Sequence, residues 1–268
     1  MKLLRRNAVW NPVDPVRFHD LARKLAAGPE WEYTSLTDRL NRPSSSTVVV
    51  RSGESCLLWD RSGFLFARFD GSPPTEMPRP RPQPRSIMGL YRDVAECRRL
   101  LRITTGDTVE YLLMKRPAAP VSLRLPPSLQ AVQLQPKDHS DVLPLESAYQ
   151  REEVLLQGQL LHNTAISRHL EWKLQHHIGV GIRHNGQLIA KAHTNARGIR
   201  CCQVGGVYTV PAYRGRGCGE LVMRCLLRAV QATRMTTSLF VKPENIPGRR
   251  LYSRLGFETV GRYAIAYV

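Results

Sequence analysis

Tyr208-Thr209-Val210-Pro211-Ala212-Tyr213-Arg214-Gly215-Arg216-Gly217-Cys218-Gly219 separates a strand pattern over residues 200–210 from a helix pattern. The helix is legible in Leu221, Val222, Cys225, Leu226, Ala229 and Val230, which line one face at helical spacing. Glycines let the backbone between the two elements turn sharply and approach a ligand closely. The unpaired N–H groups at the helix start converge there, and with the helix dipole they make an anion site. Arg214 and Arg216 add positive charge, so a pyrophosphate is the natural tenant. No Lys-Ser/Thr follows the last glycine, which separates the stretch from a P-loop. It also comes late in the chain, after a hairpin pattern, unlike a dinucleotide-binding Gly-x-Gly-x-x-Gly. Taken alone, the loop also reads as an ordinary glycine-rich helix entry, and a short glycine motif by itself is weak evidence.

Working outward, a strand is expected over residues 129–134 and a helix from Asp138 to about Leu156. A second helix starts at Asn163-Thr164 and runs to His177. Residues 178–183 and 187–192 read as a hairpin turning at His184-Asn185-Gly186. Beyond the loop helix come a strand at residues 237–241, a helix from Asn245 to Leu255 stopped by Gly256, and apolar strands from Phe257.

Arg214, Gly217 and Gly219, preceded by Val210-Pro211 and Tyr213, resemble the acetyl-CoA signature of the GCN5-related N-acetyltransferase (GNAT) superfamily. The later Asn245 … Leu251-Tyr252-Ser253-Arg254-Leu255-Gly256-Phe257 and the element order of residues 129–268 resemble the same family. The resemblance implies an α+β (mixed α/β) chain whose C-terminal half has a mostly antiparallel central sheet flanked by helices. It implies acetyl-CoA as acyl donor and an amine acceptor, small molecule or protein, attacking the thioester directly in a ternary complex. Residues Arg214, Gly215, Arg216, Gly217, Cys218 and Gly219 would hold the pyrophosphate. Main-chain groups of Val207, Tyr208, Thr209 and Val210 would pair with the pantetheine arm. Tyr252 matches the general acid that protonates the departing thiolate, or else is a core tyrosine. Asn245 matches a position that contacts the cofactor, or else caps a helix. The general base is open: Glu152, Glu153 and His193 are candidates, with Glu153 taken as base or acceptor-site residue. Residues 200–208 carry no carboxylate, although many relatives place one there. That leaves a second reading, a CoA-binding regulatory module without turnover.

The first half reads as two helices, residues 15–27 and 31–40, then strands at 47–50, 55–59 and 64–69. Asp14-Pro15 starts the first helix, with Val16, Leu21 and Leu25 inward. Alternating prolines from Ser72 to Arg85 make a stiff loop or a proline-motif ligand. A short strand at residues 86–88, a helix from Arg92 to Arg102 and a strand at residues 109–114 follow. This order echoes the second half and puts residues 92–102 in the slot of the loop helix. Met88-Gly89-Leu90-Tyr91 stands where the glycine loop should be, with one glycine and no basic residue. Residues 1–120 are therefore expected to be a smaller α+β domain, either degenerate and GNAT-like or unrelated. Residues 121–128 are read as a linker and 129–268 as the acetyltransferase domain.

The formal charge is +17, spread evenly over both halves. No aromatic-interleaved basic motif accompanies it, so it reads as a solvated surface and not as a nucleic-acid interface. Six cysteines lack Cys-x-x-Cys spacing, and neither a disulfide framework nor a metal is expected. The start, Met1-Lys2-Leu3-Leu4-Arg5-Arg6-Asn7, is basic but lacks the apolar run of a signal peptide. With no stretch of membrane-spanning length either, a cytoplasmic protein is expected.

Overall fold

The computed structural model describes residues 9–71, 74–156 and 159–268; the basic start and the Ser72-Pro73 pair lie outside them. The described residues up to Met114, with Phe240–Ile246 and Thr259–Val268, form one unit. Lys115–Leu239 and Pro247–Glu258 form a second.

The first unit opens on β1 (Asn11–Pro12). The Asp14 carboxylate accepts the Val16 amide at 3.0 Å, and Pro15 begins a single 3-10 turn before α1 (Phe18–Ala26). That extra turn leaves Val16 86% exposed, against the expectation that it faces inward; Phe18, Leu21, Ala22 and Leu25 fill the buried stripe. Residues read as the start of the second helix form a separate turn, Glu30–Glu32, ahead of α2 (Thr34–Asn41). Strands β2 (Val48–Ser52), β3 (Ser55–Trp59) and β4 (Phe64–Arg68) form an antiparallel meander. Then come β5 (Ser86–Leu90), α3 (Tyr91–Leu101) and β6 (Thr108–Arg116).

The second unit runs β7 (Leu129–Leu134), α4 (His139–Tyr149), α5 (Asn163–His176), β8 (Gly179–His184), β9 (Gln187–Arg197) and β10 (Cys201–Thr209). It continues through α6 (Cys218–Gln231), β11 (Thr236–Val241) and α7 (Ile246–Arg254). Its strands lie in the order β7-β8-β9-β10-β11, antiparallel except for the last pair. This is the mostly antiparallel, helix-flanked sheet expected for the C-terminal half. Asn185 (φ 49°) and Gly186 (φ 79°) both take positive φ, as a two-residue hairpin turn requires. Leu134, Val142, Leu145, Leu170, Leu174, Leu188 and Tyr208 pack α4 and α5 onto the sheet. The buried stripe of α6 includes Met223 and Leu227, while Leu221 and Ala229, expected inside, are only half-buried.

The last strand, β12 (Glu258–Tyr267), joins the first unit's sheet. It pairs antiparallel with β5, from Tyr263↔Leu90 to Tyr267↔Ser86, and neighbours β6. Ala264 and Ala266 enter that unit's core beside Leu57, Leu65, Ile87 and Val94. The sequence reading placed this segment with the second half, as several strands. Alternation shows which face of a strand is buried, not which sheet receives it.

Strand pairing also corrects the internal echo. Strands β4 and β5 are parallel, as β10 and β11 are. Parallel neighbours need a crossover connection. In the second unit that crossover is α6; in the first it is the proline-rich segment of residues 69–85. Residues 91–101 therefore fill the slot of α7, one element later than the sequence order suggests. Prolines remove amide donors and clash within a helix, so this crossover contains no helix among its described residues.

Among the described residues, no helix is long and apolar enough to cross a membrane. All six cysteines are buried, and none forms a disulfide among the described residues.

Candidate active site

The site begins where β10 loses a neighbour. Its parallel register with β11 runs from Cys201↔Thr236 to Val204↔Leu239 and ends there. Its antiparallel register with β9 continues to Thr209↔Ala190, so the second half of β10 has a strand on one side only. Between Gly205↔His193 and Tyr208↔Lys191 the strand bulges, two residues facing one. Gly206, in the bulge, takes φ +57°, and a Cβ there would stand 2.0 Å from His193 Nε2. Only glycine fits.

Beyond β10, Pro211–Tyr213 make one 3-10 turn, and the glycine loop enters α6. Gly215 (φ +74°) and Gly217 (φ +80°) are left-handed, with open space where a side chain would stand. Gly217 is the N-cap of α6 and provides no side-chain cap. The first intrahelical bond runs from the Leu221 N–H to the Gly217 carbonyl at 3.0 Å. Amides ahead of it are the ones a helix start presents to an anion.

The two loop arginines play different parts. Arg214 Nη2 lies 2.7 Å from Glu152 Oε2, its Nε donates to the Thr209 carbonyl at 3.0 Å, and its guanidinium stacks 5.3 Å from the Tyr208 ring. Tyr208 Oη donates to the other Glu152 oxygen at 2.8 Å. This clamp ties the loop to the end of the α4 segment and engages the Arg214 guanidinium, which stays exposed. Arg216 is exposed, its guanidinium 5.8 Å from the Tyr213 ring, and carries the loop's outward charge. Cys218 is buried, and burial pushes its thiol up, which keeps it protonated as a small loop residue.

Tyr252 stands on α7, its ring 6.0 Å from Phe257 in an edge-on contact. Burial first, then the charge of Glu153, pushes the phenol well above its ordinary value, so it holds its proton at neutral pH. Glu153 lies in a π-helical turn, Gln150–Val154, that continues α4. Such turns widen a helix and recur at functional sites. Thus the structure brings Tyr252 and Glu153, 99 positions apart in the chain, into each other's field. Asn245 belongs to the first unit.

The other two base candidates, Glu152 and His193, both have lowered pKa values. Burial raises Glu152, but hydrogen bonds from Tyr208 and Arg214 outweigh it and hold the carboxyl below its ordinary value. His193 is buried, and desolvation followed by the Lys173 charge pushes it down to about 3. An imidazole that weakly basic retains no abstracted proton at neutral pH.

Sequence reading missed the charged cluster beneath the bulge. Glu146 of α4, Lys173 of α5 and Lys191 and His193 of β9 are all buried. Lys191 Nζ lies 2.6 Å from Glu146 Oε2 and donates to the Gly206 carbonyl at 2.9 Å. Lys173 Nζ lies 3.3 Å from Glu146 Oε1 and 3.5 Å from His193 Nε2. Gln150 donates to Glu146 Oε1 at 3.0 Å, and Lys191 lies 4.8 Å from the centre of the Tyr149 ring. Burial works against the Glu146 charge, but Lys191 and then Lys173 hold its carboxyl far below the ordinary range. Burial lowers Lys191, and Glu146 opposes the shift. The available signal was a lysine inside the otherwise apolar run Leu188-Ile189-Ala190-Lys191-Ala192.

Comparison with known proteins places these features. Residues 143–257 match the model of the Acetyltransferase (GNAT) family. No curated protein matches the chain. A Drosophila protein solved by X-ray crystallography is similar at 12% identity and TM-score 0.68, over 98% of this chain and 99% of that one. A GCN5-related N-acetyltransferase-like protein from Streptococcus suis is similar at 16% identity and TM-score 0.59, over 92% and 98%. A tandem GNAT protein from the clavulanic acid biosynthesis pathway, solved without AcCoA, is similar at 15% identity and TM-score 0.56, over 98% of each chain. At these identities the likeness shows a shared fold. The splayed strand, the bulge and the left-handed glycine cap all lie within the matched residues, and residues 143–257 are a GNAT acetyltransferase domain.

Proposed function

We propose that the chain transfers the acetyl group of acetyl-CoA to an amine, small molecule or protein-borne, by direct attack in a ternary complex. The observation that carries this reading is the splay of β10 from β11 beyond Val204, running into a left-handed glycine cap on α6. The one-sided strand offers main-chain groups of Val207, Tyr208, Thr209 and Val210 to an extended pantetheine arm. Loop amides from Gly215 to Gly219 receive the pyrophosphate, with Arg216 as its counter-charge and Arg214 holding the loop's shape. The acceptor nitrogen arrives unprotonated, bonds to the thioester carbon, and the carbon–sulfur bond breaks. Tyr252 gives its proton to the leaving thiolate, and Glu153 takes the proton shed by the amine or holds the acceptor. The first unit shares the strand-and-helix order but has a proline-rich crossover in place of α6, which supports a degenerate GNAT-like domain without a donor of its own.

A regulatory module that binds CoA without turnover is the second reading. It draws on one observation: no carboxylate lies on β10, residues 201–209. Release of free thiol from acetyl-CoA, measured with amino acids, polyamines, aminoglycosides and peptides, separates the two. Acceptor-dependent release supports transfer; tight binding without release to any of them supports the module.

A further inference from the structure

The buried cluster at Glu146 has no part in the reaction as described, yet one of its members grips the bulge. Lys191 is fully buried and spends two hydrogen bonds, one on Glu146 Oε2 at 2.6 Å and one on the Gly206 carbonyl at 2.9 Å. Glu146 is oriented in turn by Lys173 at 3.3 Å and Gln150 at 3.0 Å. Burying two ammonium groups with one carboxylate is costly, and an apolar core of the same volume is commonly at least as stable. Packing alone gives no reason for such an arrangement beneath a backbone carbonyl.

The peptide between Gly206 and Val207 is trans. A trans peptide points its carbonyl and its N–H in opposite directions. With the carbonyl drawn toward Lys191, the Val207 N–H is directed to the other side of the strand. Gly206 at φ +57° permits this rotated peptide, and His193, filling the space of the missing Cβ, blocks its collapse. An ammonium on the carbonyl also polarises the amide, which strengthens its N–H as a donor.

We infer that Lys191, locked by Glu146, is a positioning residue that aims and polarises the Val207 N–H toward the thioester oxygen, where negative charge develops during acyl transfer. The inference rests on the acetyl-transfer reading above. Lys191 touches no substrate in this scheme; it acts through one peptide group. A preformed donor at that point stabilises the tetrahedral intermediate without reorganisation.

The test uses the full chain, with acetyl-CoA carrying 13C at the thioester carbonyl as probe. Two variants are made: Lys191→Met, and Glu146→Gln with Lys191→Met, which removes the uncompensated carboxylate in case the single change unfolds. In both, acetyl-CoA affinity by calorimetry stays within about threefold, because the pyrophosphate loop is untouched. Turnover with the best acceptor falls roughly tenfold to a hundredfold, somewhat less than outright loss of an oxyanion donor. The infrared carbonyl stretch of bound acetyl-CoA, lowered in the wild type, returns toward its value in water. Folded variants that keep wild-type turnover, or the wild-type carbonyl stretch, overturn the inference. If both variants unfold, the wild-type Val207 amide decides: acetyl-CoA moves its proton resonance downfield relative to CoA, and identical resonances overturn the inference. A wild type that binds acetyl-CoA with an unshifted carbonyl stretch sinks the role of Lys191 and leaves the donor reading standing. A wild type that binds no acetyl-CoA sinks both.

Discussion

Replacing Gly217 by valine tests the loop at its most constrained point. Gly217 sits at φ +80° with no atom within 4 Å of the position a Cβ would take. Valine therefore meets no steric wall, and its cost is conformational. Holding a branched residue left-handed costs about 1–2 kcal/mol. The unit tolerates that loss and stays folded. Relief of the strain, however, rotates the peptides on either side of residue 217, which are those of the anion site. A hydrogen bond to a charged group contributes about 1.5–3 kcal/mol. Misdirecting two of them removes about 3–6 kcal/mol of binding, or roughly a hundredfold to ten-thousandfold in affinity. Gly219 is the control. Its φ is ordinary, and a Cβ there would rest 3.5 Å from Thr209 Oγ1 and 3.7 Å from Leu251, which is normal contact. Gly219→Ala should lose less than about tenfold, a matter of one crowded approach. Circular dichroism establishes folding, and calorimetry with CoA and acetyl-CoA gives the affinities. A folded Gly217→Val that binds like the wild type, or a Gly219→Ala that loses as much, refutes the assignment of the loop to the pyrophosphate.

Tyr252→Phe keeps the packing on Phe257 and removes the proton; turnover should drop roughly tenfold to a thousandfold with acetyl-CoA affinity nearly unchanged, and wild-type turnover would leave Tyr252 as core. Glu152→Gln weakens the clamp on Arg214 and Tyr208 but removes no base, so CoA affinity should fall several-fold while turnover at saturation holds; the reverse pattern in steady-state kinetics would return Glu152 to the list of bases. Asp93 on α3 is 2% exposed, and burial, against Arg92, the Phe69 amide and Tyr33, raises its carboxyl from 3.8 to about 6. The folded chain then binds the proton more tightly than the unfolded chain, so this contribution is present at low pH and lost between pH 4 and 6, by about 3 kcal/mol. Asp93→Asn should flatten that slope in thermal unfolding followed across the window, and an unchanged slope would remove Asp93 as its source. Glu146 acts with the opposite sign: its carboxyl is held low, so its contribution is lost as the solution is acidified below the ordinary carboxylate range.

The chain's local chemistry was enough to locate the loop, the helix after it and the order of the second unit. Glycines at residues 215 and 217 are demanded by positive φ, and the α6 stripe follows from helical spacing; both are properties of a few consecutive residues. Tyr252 and Glu153 were named from a motif and a helix end, but only folding brings the two residues near enough that one feels the other's charge. What depended on pairing between distant segments was not legible. Strand alternation in residues 258–267 marks Ala264 and Ala266 as inward-facing, yet it is silent on which sheet receives them, and the answer is the first unit's. The order of elements in the first half was right, while their correspondence to the second half was off by one. That correspondence rests on β4 and β5 being parallel, a relation between residues 64–66 and 86–88 that no local pattern encodes. The Glu146, Lys173, Lys191 and His193 cluster spans 47 positions and three elements. Lys191 stands out in its apolar run and His193 as a base candidate, but neither points to the other members, and only the packed fold, by excluding water from all four, turns them into a device acting on one peptide bond.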